Sequence, residues 1–421
     1  MPASRETYTR QIIRTLCNAC QGPCPVPAIT CPNCPEGISP ESINAASRIR
    51  PSAINYCSIT CRDADAGPHK KACETRNKNK RLERAADLLQ AAFYTWREAA
   101  FNFSYSKIVR KIDKDGSFEL QLYENSYDGE VTPFYPFPHG SVKTQQEKEA
   151  LLAFDSATDV GDHLRYLIIK LLQGLIKKIS TDVILVRRYL PRVRKCEPNE
   201  PFNRTHNVLS IIDTEGQKFC IDLAGARFGN RRTLAPLEAY DSMFGVVRTV
   251  DLPLLPPTTT DPDDTEAMPQ FHMQETFKAA IDRWEKDKTR NIRQLLSGKQ
   301  ANFDVGKESL MAYIHDDLHQ YVDDFRKAQI ASSTPQKQFR LRSWGGNPTG
   351  LTHGGTEDSS GPETDDTTPA PTKSVAKTSS AAKSGKKKKG AAKTTADKEM
   401  EQAMVMDIMM EMLRGLPGMA N

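Results

Sequence analysis

Four pairs of metal-ligating residues follow one another within residues 17–73: Cys17-x2-Cys20, Cys31-x2-Cys34, Cys57-x3-Cys61 and His69-x3-Cys73. A Cys-x2-Cys knuckle turns two thiolates toward one tetrahedral ion. Residues four apart share a helix face, so a helix starting near Pro68 would aim His69 and Cys73 the same way. Each pair is half of a zinc site, and eight ligands of composition Cys7His make two Zn2+ sites. With all four positions around each ion taken by protein, nothing is left for water or substrate, and the role expected of the metal is structural. Such a unit folds only with its metal. Replacing Cys31 by Ser is therefore expected to unfold the finger and leave the remainder folded.

Disulfides are the competing reading of the same cysteines. The N-terminal "MPASRETYTRQIIRTL" has no secretory apolar run, and no stretch reaches the roughly 18 apolar residues of a membrane span. The chain reads as intracellular, cytoplasmic and/or nuclear, with no membrane association. In a reducing compartment, the crowding of eight of ten cysteines into residues 17–73 points to metal ligation rather than a disulfide framework. Cys24, the remaining cysteine of the stretch, reads as a bystander, with replacement of Cys20 as the alternative.

The segments "CNAC", "CPNC", "YCSITC" and "HKKAC", with Tyr56 before the fifth ligand, Ser58 after it and Lys70 after the histidine, resemble a MYND-type zinc finger. The resemblance implies an interleaved pairing: Cys17, Cys20, Cys57 and Cys61 on one ion, Cys31, Cys34, His69 and Cys73 on the other. A RING-type finger, also interleaved, usually has its histidine near the fourth ligand, whereas here it is seventh. The interval from Cys34 to Cys57 is longer than the family usually has and is expected to loop out. Arg62 and Ala66 stand where the family typically has the glutamine and tryptophan used by some members to grip proline-rich peptides, so that mode of binding is not expected.

These ligands must be carried by folded elements. The hydrophobic fraction of 38% and mean hydropathy of -0.57 assign part of the 421 residues to linker or tail. After a 1–16 extension and the 17–73 finger, residues 74–104 read as a connecting helix, apolar at Leu82, Ala86, Leu89, Ala92, Phe93 and Trp96. Its basic part, Lys70, Lys71, Arg76, Lys78, Lys80, Arg81 and Arg84, reads as a solvated face rather than a nucleic-acid surface, because no aromatic residues interleave with it. Residues 105–250 form an α+β body: a hairpin about Asp115-Gly116, a proline-broken loop with His139 at the surface, an apolar helix from near Asp159 or Asp162 through "LLQGLIKKI", a strand "DVILVRRYL", and two strands about Glu215-Gly216. A 251–270 linker, a helical 271–330 region carrying the solvent-facing pair His315 and His319, a 331–395 low-complexity tail and a 396–416 amphipathic helix complete the chain.

The body also resembles a degenerate transglutaminase-like or papain-like fold. His206, opening "HNVLSII", and Asp222, in "FCIDLAGARFG", match the second and third members of that triad, but no cysteine stands at the helix start, and Cys196 and Cys220 are not placed to replace it. A covalent thiol step needs that thiolate. Nor are the "NHSC" and "GEEL"-like motifs of lysine methyltransferases present, so no enzyme is expected. Finger plus "IDLAGARFG" also resembles a group of fungal MYND-finger proteins. The reading is a zinc-binding adaptor, in transcriptional or developmental regulation, meeting other proteins through its finger and its methionine-rich C-terminal helix. The alternatives are a degenerate or cryptic thiol acyltransferase, and a nucleic-acid-binding regulator using the basic helix and Lys386–Lys389.

Overall fold

The computed structural model describes residues 15–44, 52–124, 134–156, 163–196, 205–253 and 269–331. Most of the 1–16 extension, most of the 251–270 linker, the tail after residue 331, the Lys386–Lys389 run and the 396–416 segment lie outside the described residues. The described part is a mixed helix and strand structure with a cysteine-rich N-terminal lobe.

The lobe contains a two-stranded antiparallel ribbon, β1 (Ile29–Thr30) with β2 (Asn55–Tyr56), and a short helix α1 (Pro40–Asn44) between them in sequence. From it runs α2 (Ile59–Ala99), 41 residues long. Ser58 starts this helix: its hydroxyl accepts the Cys61 N–H at 3.1 Å, supplying one of the bonds a first turn lacks. The helix thus begins ten residues before His69 and has Pro68 inside it, rather than starting at Pro68 and serving only as a 74–104 connector. Its first third carries cysteines and a histidine. Its last part carries Leu82, Leu89, Phe93 and Trp96, spaced three, four and seven apart and all at most 2% exposed.

That apolar stripe is the centre of the main core. A five-stranded antiparallel sheet runs in the order β10-β5-β7-β8-β9, built from β5 (Ile176–Leu185), β7 (Thr205–Asp213), β8 (Lys218–Ile221), β9 (Leu234–Pro236) and β10 (Val247–Pro253). One face of it, through Leu209, Ile211, Phe219 and Ile221, packs against α2 and α4 (Arg165–Leu172). Each large apolar side chain buried there contributes about 1.5–3 kcal/mol. A second sheet pairs β3 (Tyr105–Ile112) with β4 (Phe118–Glu124) as the expected hairpin, Gly116 taking φ +81, and adds β6 (Val193–Lys195) in parallel. It packs on α3 (Gln145–Leu152). The other face of the large sheet is covered by α5 (Leu237–Phe244) through Tyr240 and Phe244.

One expectation needs correction. The apolar helix stops at Leu172, and "IKKIS" belongs to β5. Gly174 adopts φ +78, a left-handed conformation open to glycine, and the branched Ile176, Ile179, Val183 and Ile184 then pair with β7. The expected start of that helix, residues 159–162, lies outside the described residues.

The late helices α6 (Pro269–Asp287), α7 (Ile292–Leu295) and α8 (Gln300–Ala331) complete the main core through Phe277, Trp284, Leu295, Phe303, Leu310 and Leu318. Among the described residues, no helix is long and apolar enough to cross a membrane.

Candidate metal centres

The ribbon and the helix together produce two four-donor clusters. Because β1 and β2 are antiparallel, Cys31 leaves the ribbon at one end and Cys57 at the other. On α2, Cys61 and His69 are eight residues apart, about 12 Å along the axis, while Cys73 lies one turn beyond His69. One helix therefore serves two centres. Cys17, Cys20, Cys57 and Cys61 form the first, and Cys31, Cys34, His69 and Cys73 the second, with the donor atoms in each within 4.8 Å of one another. This grouping is the interleaved one.

The spacings fit a metal. A tetrahedron with metal–sulfur arms of about 2.3 Å has edges of roughly 3.8 Å. Cys20 Sγ and Cys57 Sγ are 3.6 Å apart, Cys57 Sγ and Cys61 Sγ 3.5 Å, and Cys34 Sγ lies 3.2 Å from His69 Nε2. All ten cysteines are free of disulfides.

The electrostatics point to a cation as well. The Cys20 N–H is the main influence holding the Cys17 thiol down at about 6. Burial works to raise Cys31, and the N–H groups of Asn33 and Cys34 outweigh it, leaving that thiol lowered. In contrast, burial and then the Cys31 and Cys73 sulfurs push Cys34 up to about 12. Cys57 is likewise pushed up to about 12, first by its hydrogen bond with Cys61 and then by those with Cys20 and Cys17. Sulfurs this close cannot all ionise by themselves, and a divalent cation removes the conflict. The residues present can thus hold two metal ions. Cys24 is half-buried beside the first cluster, its thiol raised by burial and then by Cys17, Cys20 and Cys61, and it falls in neither group.

Two expectations about the surroundings are overturned. The basic stretch of α2 is not a solvated face: Lys70 and Lys71 are exposed, but Arg76, Lys78, Lys80 and Arg84 are buried. Arg76 donates to the carbonyls of Gly37 and Ser52, Lys78 pairs with Asp213 and Glu215, and Arg84 binds Glu36 and the carbonyls of Leu296 and Gly298. Nor does the described part of the Cys34–Cys57 interval loop out. Ile38 and Ile43 enter the main core at 2% and 1% exposure, and Arg232 donates to the Ile43 carbonyl. Residues 45–51 lie outside the described residues. Glu36 and Gly37 were silent in the sequence, and Lys78 and Arg84 were read as solvated, because their partners are up to 264 residues away.

The second place where expected residues meet is inside the body. His206 Nε2 and Asp222 Oδ1 are 2.8 Å apart, at 0% and 1% side-chain exposure. Asp222 Oδ2 also accepts from the Tyr240 hydroxyl at 2.8 Å and Asn230 Nδ2 at 3.3 Å. Gly225 presses on the same carboxylate: a Cβ there would stand 2.3 Å from Oδ2. His206 Nδ1 has no hydrogen-bond partner, and the imidazole and the Phe228 ring are nearly perpendicular with centroids 5.2 Å apart. The pair lies on the sheet face of Val208 and Tyr240, while α4 packs on the opposite face with Leu209 and Ile211. Cys220 is fully buried, and burial raises its thiol far above the ordinary value. His315 and His319 do share a face, their rings 4.1 Å apart, with His315 exposed and His319 half-buried.

Comparison with protein-family models, with curated proteins and with solved structures finds no match to the chain.

Proposed function

We propose that the eight clustered residues hold two Zn2+ ions in a MYND-type finger of the kind found in fungal proteins, and that the protein is a non-enzymatic adaptor for other proteins. The observation that carries this reading is the pair of closed clusters, each with four donors at tetrahedral spacing. Thiolate and imidazole donors suit zinc, and a closed set suits structure rather than catalysis. The exposed apolar residues Leu16, Val26 and Ile59, which neighbour first-cluster ligands or Cys24 in sequence, offer a contact surface. The nucleic-acid alternative loses support because Arg76, Lys78 and Arg84 are engaged internally.

The test has two parts. Elemental analysis of the purified chain should find two zinc ions per protein, and cobalt substitution should give the intense visible bands of tetrahedral thiolate sites. Affinity purification from the native cell, comparing wild type with Cys31→Ser/Cys34→Ser at matched expression, should lose a defined partner set. Absence of bound metal would sink the finger, and an unchanged partner set would sink the adaptor role.

A second reading rests on the His206–Asp222 pair: a degenerate or cryptic thiol acyltransferase of transglutaminase-like ancestry, in which the pair would serve a thiolate supplied from elsewhere. Its test is transfer of a labelled amine onto a glutamine peptide, abolished by His206→Ala. No turnover above that variant would exclude it.

A further inference from the structure

The two clusters differ in what lies behind them. Around the first, the hydrogen bonds among the described residues stay inside the finger: Asn18 Nδ2 to Asp65 Oδ2 at 2.8 Å, the Tyr56 hydroxyl to the same oxygen at 2.9 Å, and Asn18 N–H to the Asn55 carbonyl at 2.9 Å. The second is joined to the body by three links.

The first link starts two residues after Cys34. Glu36 Oε2 accepts from Arg84 at 3.0 Å and from the backbone N–H of Gln300 at 2.6 Å, which is the first residue of α8. A carboxylate there satisfies an orphan donor and opposes the positive end of the helix dipole. The second link is Gly37–Ile38. A Cβ on Gly37 would sit 2.8 Å from Arg76 Cβ and 3.3 Å from Cys34 Cβ, so ligand, backbone and helix are in contact with no slack. Arg76 and Asn79 hold the Gly37 and Ile38 carbonyls at 3.1 and 3.2 Å, and the Ile38 side chain enters the main core. The third link leaves Cys73 along α2: five residues on, Lys78 Nζ reaches Asp213 Oδ2 at 2.6 Å and Glu215 Oε2 at 2.9 Å in the β7–β8 turn. Thr75 adds a 3.3 Å bond to Glu215.

From these links we propose that metal at the second cluster, and not at the first, holds the start of α8 and the β7–β8 turn in place, so that these parts of the body are gated by that metal. The inference rests on the metal reading of the clusters. When the second ion leaves, Cys31 and Cys34 are no longer tied to His69 and Cys73 on α2, and the 31–38 segment loses its anchor on the helix. The cap on α8 and the packing of Ile38 then go with it. Loss of the first ion frees only the outer lobe.

The experiment uses the full chain loaded with Zn2+ and reads metal content by elemental analysis and backbone order by hydrogen exchange. Peptides covering 205–221 and 300–331 are followed in wild type, Cys17→Ser/Cys20→Ser and Cys31→Ser/Cys34→Ser. The first-cluster variant is expected to lose one ion and keep wild-type protection in both peptides. The second-cluster variant is expected to lose one ion and exchange at least ten-fold faster in both. Equal protection in the two variants, or equal loosening, overturns the proposal.

If the second-cluster variant is insoluble, two ligand-sparing variants decide. Glu36→Gln should keep both ions and loosen the start of 300–331, and Lys78→Met should keep both and loosen 205–221. Wild-type exchange in both would overturn the coupling. A wild-type chain that binds no metal defeats this inference together with the metal reading, whereas two bound ions with an indifferent body defeat this inference alone.

Discussion

Lys78 Nζ lies 2.6 Å from Asp213 Oδ2, joining the helix that carries the metal ligands to the β7–β8 turn of the large sheet, with the Asp213 side chain wholly buried. Asp213 also accepts the backbone N–H groups of Glu215 and Gln217, both at 2.8 Å. Removing the lysine leaves a buried carboxylate without its cation. Lys78→Met should cost about 3 kcal/mol, near the low end for a broken buried pair because the two N–H donors remain. Urea unfolding followed by the fluorescence of Trp96 and Trp284, both in the main core, measures it. Adding Asp213→Asn should recover part of the loss, and a change below about 0.5 kcal/mol, the ordinary effect of a surface substitution, would contradict the buried pair.

Asp222 is the hub of three hydrogen bonds, from His206, Tyr240 and Asn230. An amide in its place turns one acceptor into a donor facing donors. Asp222→Asn is expected to destabilise by about 2 kcal/mol, the scale for a buried polar group left badly paired. The loss should appear as a lower urea midpoint with unchanged slope. An unaltered midpoint would mean that the carboxylate is not load-sharing among its three donors.

Gly225 tests the same centre by space alone. A methyl group there meets Asp222 Oδ2 at 2.3 Å, and the carboxylate cannot retreat without losing a partner. Gly225→Ala should cost about 1–3 kcal/mol, the range for forcing volume into a packed site. The backbone φ of Gly225 is not left-handed, so the effect isolates the clash. Gly67→Ala, where a Cβ would meet nothing within 4 Å, is the matched control and should be neutral or slightly stabilising.

His163 makes the body acid-sensitive. Its ring stacks 4.0 Å from Trp96, Gln274 Nε2 donates to Nδ1 at 3.0 Å, and burial, then the Arg97 charge, pushes the imidazole down to about 3. The unfolded chain protonates this histidine near pH 6.5, and the folded chain does not until near pH 3. Between those values the unfolded state binds the extra proton, so stability falls as pH falls, by about 1.4 kcal/mol per unit from this one group. His163→Phe, which keeps a ring against Trp96, should flatten the profile by that slope between pH 6 and pH 4. Parallel profiles for wild type and variant would show that the imidazole is protonated in the fold.

How much of this was readable in the sequence depended on the range of the interaction. The β3–β4 and β7–β8 hairpins were, since Asp115-Gly116 and Glu215-Gly216 supply turn chemistry between alternating apolar residues, and both glycines adopt positive φ. The α2 stripe was readable for the same local reason. The end of α4 was not: in "LLQGLIKKI" Leu171, Leu172, Leu175, Ile176 and Ile179 keep helical spacing past the helix end, and only Gly174 marks the change to strand.

The basic run of α2 misled because charge is read in sequence as exposure, whereas Arg76, Lys78 and Arg84 are desolvated against carbonyls and carboxylates brought from residues 36–52, 213–215 and 296–300. Cysteine and histidine spacing by itself determined that eight donors would come in four pairs, because a knuckle or one helical turn lies within a few residues of chain. Which pairs share a centre was settled in three dimensions by an antiparallel ribbon and one long helix. Only the tertiary structure brought the second cluster against the body, since the links that tie Cys34 and Cys73 to it join residues separated by up to 264 positions, and no local pattern records them.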